Sequence, residues 1–73
     1  MNYYQLKCFI KVAELKSFTK ASTEMNLTPL ALKKITRDLE TTLGSLLFLH
    51  MAEKVILTEF GTQILNDVIK IIE

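Results

Sequence analysis

The first third of the chain carries apolar residues at helical spacing. Between Tyr3 and Lys16 they recur every three or four positions, with lysine and glutamate on the opposite side, and this periodicity predicts an amphipathic helix. A second helix of about two turns is predicted from Ser17, a residue type suited to capping, to Asn26, which tolerates the left-handed backbone that ends helices. The chain is therefore expected to begin with two helices joined by a very short turn.

A third helix is predicted from Thr28-Pro29 to Gly44. Threonine accepts a hydrogen bond at a helix start, proline fits the first helical position, and glycine commonly follows the last one. At about 100° per residue, one side of this helix is apolar and the other is largely basic. The apolar side contains Leu32, Ile35, Leu39 and Leu43, and the far side contains Leu30, Lys33, Lys34, Arg37 and Thr41.

After Gly44 the pattern changes to two short apolar runs, residues 46–50 and residues 55–57, the second rich in β-branched side chains. Such runs predict a small β-hairpin, although no Asn-Gly or Asp-Gly turn joins them. Thr58 is then predicted to cap a last helix that continues to Glu73. An acidic residue in its first turn, Glu59, is favoured there by the helix dipole.

The last helix has apolar residues around about half its circumference, more than the stripe of roughly 100° that one packed face requires. One interpretation is that the small domain encloses this helix deeply. The other is that the apolar residues divide between the domain and a second subunit related by a two-fold axis. In that division the domain side has Phe60, Ile64, Val68 and Ile71, and the subunit side has Leu65, Ile69 and Ile72.

Composition limits the class of protein. Seventy-three residues allow one domain, and 49% hydrophobic residues exclude a disordered chain. No apolar stretch reaches the roughly 20 residues of a membrane span, and the lysine-containing start does not fit a secretory signal, so we expect a cytoplasmic location.

The chain also has few residues that could form disulfides or bind metal ions. A single cysteine, Cys8, excludes an internal disulfide, and with one histidine it excludes the usual four-ligand zinc site. Cys8 is predicted to lie away from the main apolar stripe of the first helix, with a minor packing role. Because the sequence has no catalytic pair, phosphate-binding loop or metal-ligand spacing, we expect no enzyme activity and no cofactor.

Three helices followed by a hairpin, with a short second helix, are the layout of a winged helix-turn-helix. Positive charge is concentrated at the helix-turn-helix end of the chain: residues 1–27 have four bases and two acids, residues 28–43 three and two, and residues 44–73 two and four. A helix that reads DNA needs side chains near its start that reach base edges, and cations nearby that bind phosphates. Lys33, Lys34 and Arg37 supply the cations, and Leu30 offers an apolar contact suited to a thymine methyl.

Several short motifs follow one another in a fixed order. They are Leu6…Phe9 with Ala13-Glu14, Ser17-Phe18-Thr19-Lys20-Ala21, Thr28…Ala31-Leu32, Leu39-Glu40…Leu43-Gly44…Leu47-Phe48, and Leu57-Thr58-Glu59…Gly61. Each motif alone is weak, but the ordered set at these spacings is highly specific and covers nearly the whole chain without gaps. The set resembles the N-terminal DNA-binding domain of LysR-type transcriptional regulators.

The resemblance implies a bacterial regulator whose third helix enters the major groove of double-stranded DNA, with the hairpin on the adjacent minor groove or backbone. It implies a winged helix-turn-helix over residues 1–57, followed by a linker helix over residues 58–73 through which two subunits form a homodimer. A higher oligomer is possible in a full-length protein, and no membrane partner is expected. The expected dimer contacts are Leu65, Ile69 and Ile72. The candidate DNA contacts are Ser17, Thr19, Lys20, Thr28, Pro29, Leu30, Lys33, Lys34, Arg37, His50 and Lys54.

Full-length members of the family carry an effector domain after the linker helix. That domain is absent here, so the chain looks like an excised DNA-binding fragment or an unusually short protein. No small-molecule effector is expected on it.

The sequence departs from the family pattern at the start of the third helix and in the hairpin. Pro29 replaces a base-reading amide with a residue that has no donor, and Lys33 replaces a small serine. His50 replaces the arginine of the hairpin, and Glu53 would face phosphates of like charge. We therefore expect DNA binding that is weaker, or more dependent on DNA shape, than is typical of the family, and a log–log salt slope of about −10 for the dimer would contradict this. Thr36 is expected to bond a carbonyl one turn earlier in the helix.

The alternative function is a winged-helix protein-interaction module that has kept the fold and lost base readout. Pro29, His50 and Glu53 favour this alternative, and the basic side of the third helix would then be only a solvated face. A mobility-shift assay with the basic residues changed to alanine separates the two functions.

Overall fold

Four helices and one β-hairpin follow each other in the predicted order. The computed structural model describes residues 1–52 and 54–72, and for Ile72 it describes only the backbone. The elements are α1 (Tyr3–Leu15), α2 (Phe18–Met25), α3 (Pro29–Leu43), β1 (Phe48–Met51), β2 (Lys54–Leu57) and α4 (Glu59–Ile72). This order confirms the predicted winged helix-turn-helix followed by a C-terminal helix. Among the described residues, none of the helices is both long and apolar enough to cross a membrane.

Side-chain caps set the boundaries of the helices. The hydroxyl oxygens of Ser17 and Thr28 each accept a hydrogen bond, at 3.1 Å, from the backbone N–H three residues ahead, which satisfies a donor that a helix start leaves free. Asn26 and Gly44 end their helices in the left-handed conformation, with φ of 57° and 82°. α1 ends one residue earlier than predicted, because Lys16 also takes the left-handed conformation, at φ 54°.

The core lies where the helices meet the hairpin, and Phe48 is central to it. Its ring centroid lies 5.4 Å from that of Phe9 and 5.8 Å from that of Phe18, in tilted and edge-on arrangements that aromatic rings favour. Thr36 is buried in α3, and its hydroxyl donates to the Leu32 carbonyl at 3.2 Å, which confirms the expected bond to the preceding turn. The buried apolar residues come from every element: Leu6, Cys8, Phe9, Val12, Phe18, Ala21, Leu32, Leu39, Leu47, Phe48, Val55 and Val68.

Hydrogen bonds from the helix-turn-helix hold the hairpin at its base and near its turn. Glu40 Oε2 accepts from the N–H of Leu47 at 2.7 Å and from the N–H of Phe48 at 3.4 Å. On the other strand, the Val55 N–H donates to the Lys16 carbonyl at 3.1 Å. Both strands are therefore attached to the helix-turn-helix as well as to each other.

The first strand begins two residues later than the apolar run predicts. Leu47 is fully buried, and its N–H and carbonyl are bonded outside the sheet, so it lies before the ladder. Met51 and Lys54, predicted to be in the loop, instead pair across the antiparallel strands. Ala52 follows with a left-handed backbone, at φ 53°. The hairpin turn is thus tighter than the sequence predicts.

Thr58 joins the start of α4 to the segment before the hairpin. Its Oγ1 accepts from the Gly61 N–H at 2.8 Å, which confirms the predicted cap, and donates to the Leu46 carbonyl at 2.7 Å. Its own N–H donates to the Leu47 carbonyl at 2.9 Å. Because α4 starts so close to this segment, a Cβ atom at Gly61 would collide with the Leu47 carbonyl oxygen.

The faces of α4 differ in part from the predicted division. Val68 is buried in the core, as predicted for the domain side. Ile71 was assigned to the same side, and that prediction is wrong: the residue is 75% exposed, because it lies beyond the part of the helix that the core covers. Leu65, assigned to the subunit side, is half-buried and packs against the core of its own domain.

Cys8 is fully buried, so the prediction that it lies away from the packed face is wrong. α1 packs against α2, α3 and β2, and its buried surface is therefore wider than the single stripe that the periodicity marks. Burial raises the pKa of the Cys8 thiol above its ordinary value.

The buried thiol is expected to make folding stability depend on alkaline pH. The folded state binds the thiol proton more tightly than the unfolded state does, so this contribution is fully present below the unfolded pKa of about 8.5 and is lost as the pH rises through the higher folded pKa. Urea denaturation between pH 7 and pH 10 should show a larger loss of unfolding free energy for the wild type than for Cys8→Ala. Equal losses in the two proteins would contradict the expectation.

Candidate nucleic-acid interface

The basic side of α3 faces away from the core, as the periodicity predicts. Lys33, Lys34 and Arg37 are exposed, and Leu30, in the first turn, is 78% exposed. The buried residues Leu32, Thr36 and Leu39 lie on the opposite side. A shallow depression on the outer side is lined by Thr28, Leu30, Ala31, Lys33, Lys34, Arg37 and Asp38. The helix therefore presents two apolar residues, Leu30 and Ala31, and three cations together on an open surface.

Carboxylates of the described residues do not neutralise these cations through strong ion pairs. Lys34 lies 3.3 Å from Asp38 on its own helix, but both side chains are more than half exposed, and a surface pair of this kind contributes only about 0–1 kcal/mol. Within residues 1–52 and 54–71, Lys33 and Arg37 form no ion pair. Lys11, in contrast, lies within 3.4 Å of two carboxylates on α1 and α2. Lys33 and Arg37 thus add unpaired positive charge to the outer side of α3.

A cleft of about 160 Å³ brings together the start of α2, the start of α3 and the hairpin. Its position places candidate residues from three separate parts of the sequence on one surface. It is lined by Ser17, Phe18, Thr19, Pro29, Lys33, His50, Ala52, Lys54 and Val55. Six of the candidate DNA contacts therefore meet here, while Lys20 is exposed on the first turn of α2 outside this lining.

An adjoining cleft of about 120 Å³ lies between α3 and β1. Lys33, Arg37 and His50 line it together with Phe18 and Glu40. Phe18 and Glu40 are not among the candidate contacts that the sequence predicts. The Glu40 carboxylate bonds to backbone N–H groups seven and eight positions later in the chain. Phe18 fits the pattern of an ordinary core residue. No periodic signal therefore marks either residue.

Pro29 occupies the first position of α3 and is exposed beside the basic side chains. Since proline has no N–H and no polar side chain, it offers no hydrogen bond to a base edge. Beside Pro29, the start of α3 offers the Thr28 hydroxyl, which already accepts from the Ala31 N–H, and the apolar side chains of Leu30 and Ala31. The effect expected from Glu53 falls outside the described residues.

The candidate dimer contacts lie toward the end of α4. Leu65 and Ile69 are half-buried, and Ile71 is exposed. The side chain of Ile72 lies outside the described residues. Ile69 and Ile71 leave apolar surface open near the end of the described part of α4.

No grouping of three or more His, Cys, Asp or Glu side chains that could hold a metal ion occurs in the described part of the chain. The interface instead combines ammonium, guanidinium, imidazole and hydroxyl groups on adjoining elements. Such groups donate hydrogen bonds to anionic oxygens, and their arrangement on an exposed helix beside a hairpin suits an extended polyanion.

The family comparison agrees with this arrangement. The model of the family described as "Bacterial regulatory helix-turn-helix protein, lysR family" matches residues 3–62. The chain belongs to the LysR family. The matched range includes the first three helices, the hairpin and the start of α4, so the resemblance inferred from the motifs is confirmed.

Relatives of this LysR-family chain include the HTH-type transcriptional activator IlvY of Haemophilus influenzae. The two are 35% identical over 66 residues, which cover 90% of this chain and 23% of IlvY. The chain spans 19–23% of the length of the curated relatives it matches.

Two solved structures of LysR-family domains on DNA share the fold. The DNA-binding domain of CbnR in its DNA complex has a TM-score of 0.93 and 29% identity, over 99% of this chain and 83% of that one. The DNA-binding domain of BenM on catB site 1 DNA has the same TM-score and identity, over 99% and 77%.

Proposed function

We propose that this LysR-family chain is a sequence-specific DNA-binding domain of a cytoplasmic transcriptional regulator. α3 enters the major groove, and the hairpin contacts the flanking backbone or minor groove. The observation that carries the proposal is the open basic side of α3 next to the hairpin, with Lys33 and Arg37 outside any ion pair of the described residues. The DNA complexes of CbnR and BenM, which share the fold, support it.

The residues divide into those that position the domain and those that read bases. Lys33, Lys34 and Arg37 bind phosphates from α3, since lysine and arginine neutralise backbone charge. Leu30 is the base-reading residue: its exposed side chain suits the methyl group of thymine, which lies in the major groove. The remaining backbone contacts come from the start of α2, the start of α3 and the hairpin: Ser17, Thr19, Lys20, Thr28, His50 and Lys54.

A second copy of the chain is the other proposed partner. Two subunits associate through α4, with Ile69 and Ile72 at the contact and Leu65 divided between the contact and its own core. Because C2 symmetry places two recognition helices on the same duplex, a dimer reads two half-sites about one helical turn, or a multiple of it, apart.

Replacing Lys33, Lys34 and Arg37 together with alanine tests the DNA-binding proposal. A duplex selected from random DNA by the wild type is labelled, and its affinity is measured by fluorescence anisotropy over a range of salt. We expect the triple variant to lose about a hundredfold or more in affinity, and the log–log salt slope to become shallower by about 2.7 per protomer.

The matched control is the triple variant Lys7→Ala, Lys16→Ala and Lys70→Ala. It removes the same charge from exposed lysines outside the interface, and it should bind within a few fold of the wild type. Equal binding by the wild type and the Lys33, Lys34 and Arg37 variant would contradict the proposal and favour the protein-interaction module.

A further inference from the structure

Phe18 brings one side chain of α3 and one side chain of the hairpin to the same place. The His50 imidazole stacks on the Phe18 ring with an interplanar angle of 11° and a centroid distance of 5.7 Å. The Lys33 ammonium lies 5.8 Å from the same ring centroid. Phe18 itself is 8% exposed and packs edge-on against Phe48. A ring fixed in the core therefore supports two hydrogen-bond donors that project from different elements.

Lys33 and His50 also line both of the adjoining clefts at the interface. The charged and titratable groups around them are Arg37 and Glu40 in one cleft and Lys54 in the other. Glu40 already accepts two backbone N–H groups, which compensates part of its charge. The surroundings of the Lys33 and His50 donors are thus predominantly cationic.

The donors of Lys33 and His50 together suit one phosphodiester group. A backbone phosphate has two non-bridging oxygens and a single negative charge, and each oxygen accepts a charge-assisted hydrogen bond. A lysine ammonium has three donors, and an imidazole has at least one N–H donor whether it is neutral or protonated. Neither donor makes a hydrogen bond to a neighbouring side chain among the described residues, so both are free to bind a ligand.

We propose that Lys33 and His50 bind the same backbone phosphate of DNA, and that α3 and the hairpin thereby close on it as one clamp. The clamp presupposes the proposed DNA-binding function and adds to it a single shared contact. Phe18 is its positioning residue, because its ring centroid lies 5.7 Å from that of the His50 imidazole and 5.8 Å from the Lys33 ammonium. The recognition helix and the hairpin consequently dock on DNA together.

The test replaces single phosphates of the selected duplex with neutral methylphosphonates, one position at a time. The affinity of each duplex is measured for the wild type, Lys33→Met and His50→Phe. Methionine keeps much of the aliphatic stem, and phenylalanine keeps the stack on Phe18, but each removes the donor. Lys7→Met, in which the lost ammonium lies over Tyr3 on α1, is the charge-matched control.

For the wild type and Lys7→Met, neutralising the shared phosphate should weaken binding about tenfold or more. Lys33→Met and His50→Phe should each become much less sensitive at that same position, while remaining sensitive elsewhere. The double variant should lose less affinity than the product of the two single losses, because the two side chains act on one group.

The clamp would be overturned if Lys33→Met and His50→Phe lost sensitivity at two different phosphates. It would also be overturned if the affinity loss of the double variant equalled the product of the two single losses. Either result would leave the DNA-binding function intact. Unchanged methylphosphonate profiles in both variants would overturn the clamp as well. If the wild type binds no duplex, the DNA-binding function fails and the clamp fails with it.

Discussion

Substitution of Gly61 by alanine is expected to destabilise the domain by about 3 kcal/mol, near the upper end for overpacking. The added Cβ would collide with the Leu47 carbonyl oxygen and lie 3.1 Å from the Leu57 side chain. That carbonyl cannot move freely, because it accepts the N–H of Thr58 at 2.9 Å. The preference of alanine for helices, about 1 kcal/mol over glycine, offsets only part of this cost. Urea denaturation followed by circular dichroism measures the difference.

The same substitution at the other glycine provides the matched comparison. A Cβ at Gly44 would meet no atom within 4 Å, but the residue has φ 82°, so Gly44→Ala should cost about 1–2 kcal/mol through backbone strain alone. Gly44→Asn should recover part of that loss, because asparagine tolerates the left-handed conformation. A Gly61→Ala variant as stable as Gly44→Ala would show that the start of α4 can move away from the preceding segment.

Substitution of Glu40 by alanine is expected to destabilise the domain by about 2 kcal/mol. The carboxylate accepts the N–H groups of Leu47 and Phe48 at 2.7 and 3.4 Å. Both residues have buried side chains, and leaving a buried donor without a partner costs about 1–3 kcal/mol. The unfolding free energy of Glu40→Ala relative to the wild type measures this directly.

Glu40→Gln separates the hydrogen bonds from the remainder of the side chain. Its amide oxygen can accept the same bonds without the charge, so the loss should be less than half that of the alanine variant. If glutamine and alanine are equally destabilising, the bonds to the hairpin are not the source of the effect.

Local signals explain why the order of the elements could be predicted. The caps at Ser17 and Thr28 and the helix ends at Asn26 and Gly44 depend on residues within one turn, and the sequence displays them directly. The outward direction of Lys33 follows from the same kind of information, because the helical period relates it to the buried leucines. These predictions needed no knowledge of which elements touch.

Contacts between distant residues explain what could not be predicted. Cys8 is buried because α1 is covered from several sides, and the width of that cover depends on the tertiary arrangement. Ile71 is exposed because the core ends at Val68, although both fit the same helical stripe. The role of Glu40 depends on where the chain returns after Gly44, and no local pattern records that path.

At the interface, too, contacts between residues distant in sequence could not be predicted. The sequence supplied the cations of α3 and the candidates of the hairpin as separate groups, but not their common support. The stack of His50 on Phe18 joins positions 32 residues apart, a distance that periodicity does not reach.

The attachment of both strands to the helix-turn-helix decides where this domain can change its length. One strand is tied to Glu40 and the other to Lys16, and Thr58 closes the segment behind them. Inserting or deleting residues at these points would displace several backbone partners at once, whereas Met51 and Lys54 pair with each other and take no part in those bonds. A change of length between Met51 and Lys54 would therefore leave in place the body that carries α3.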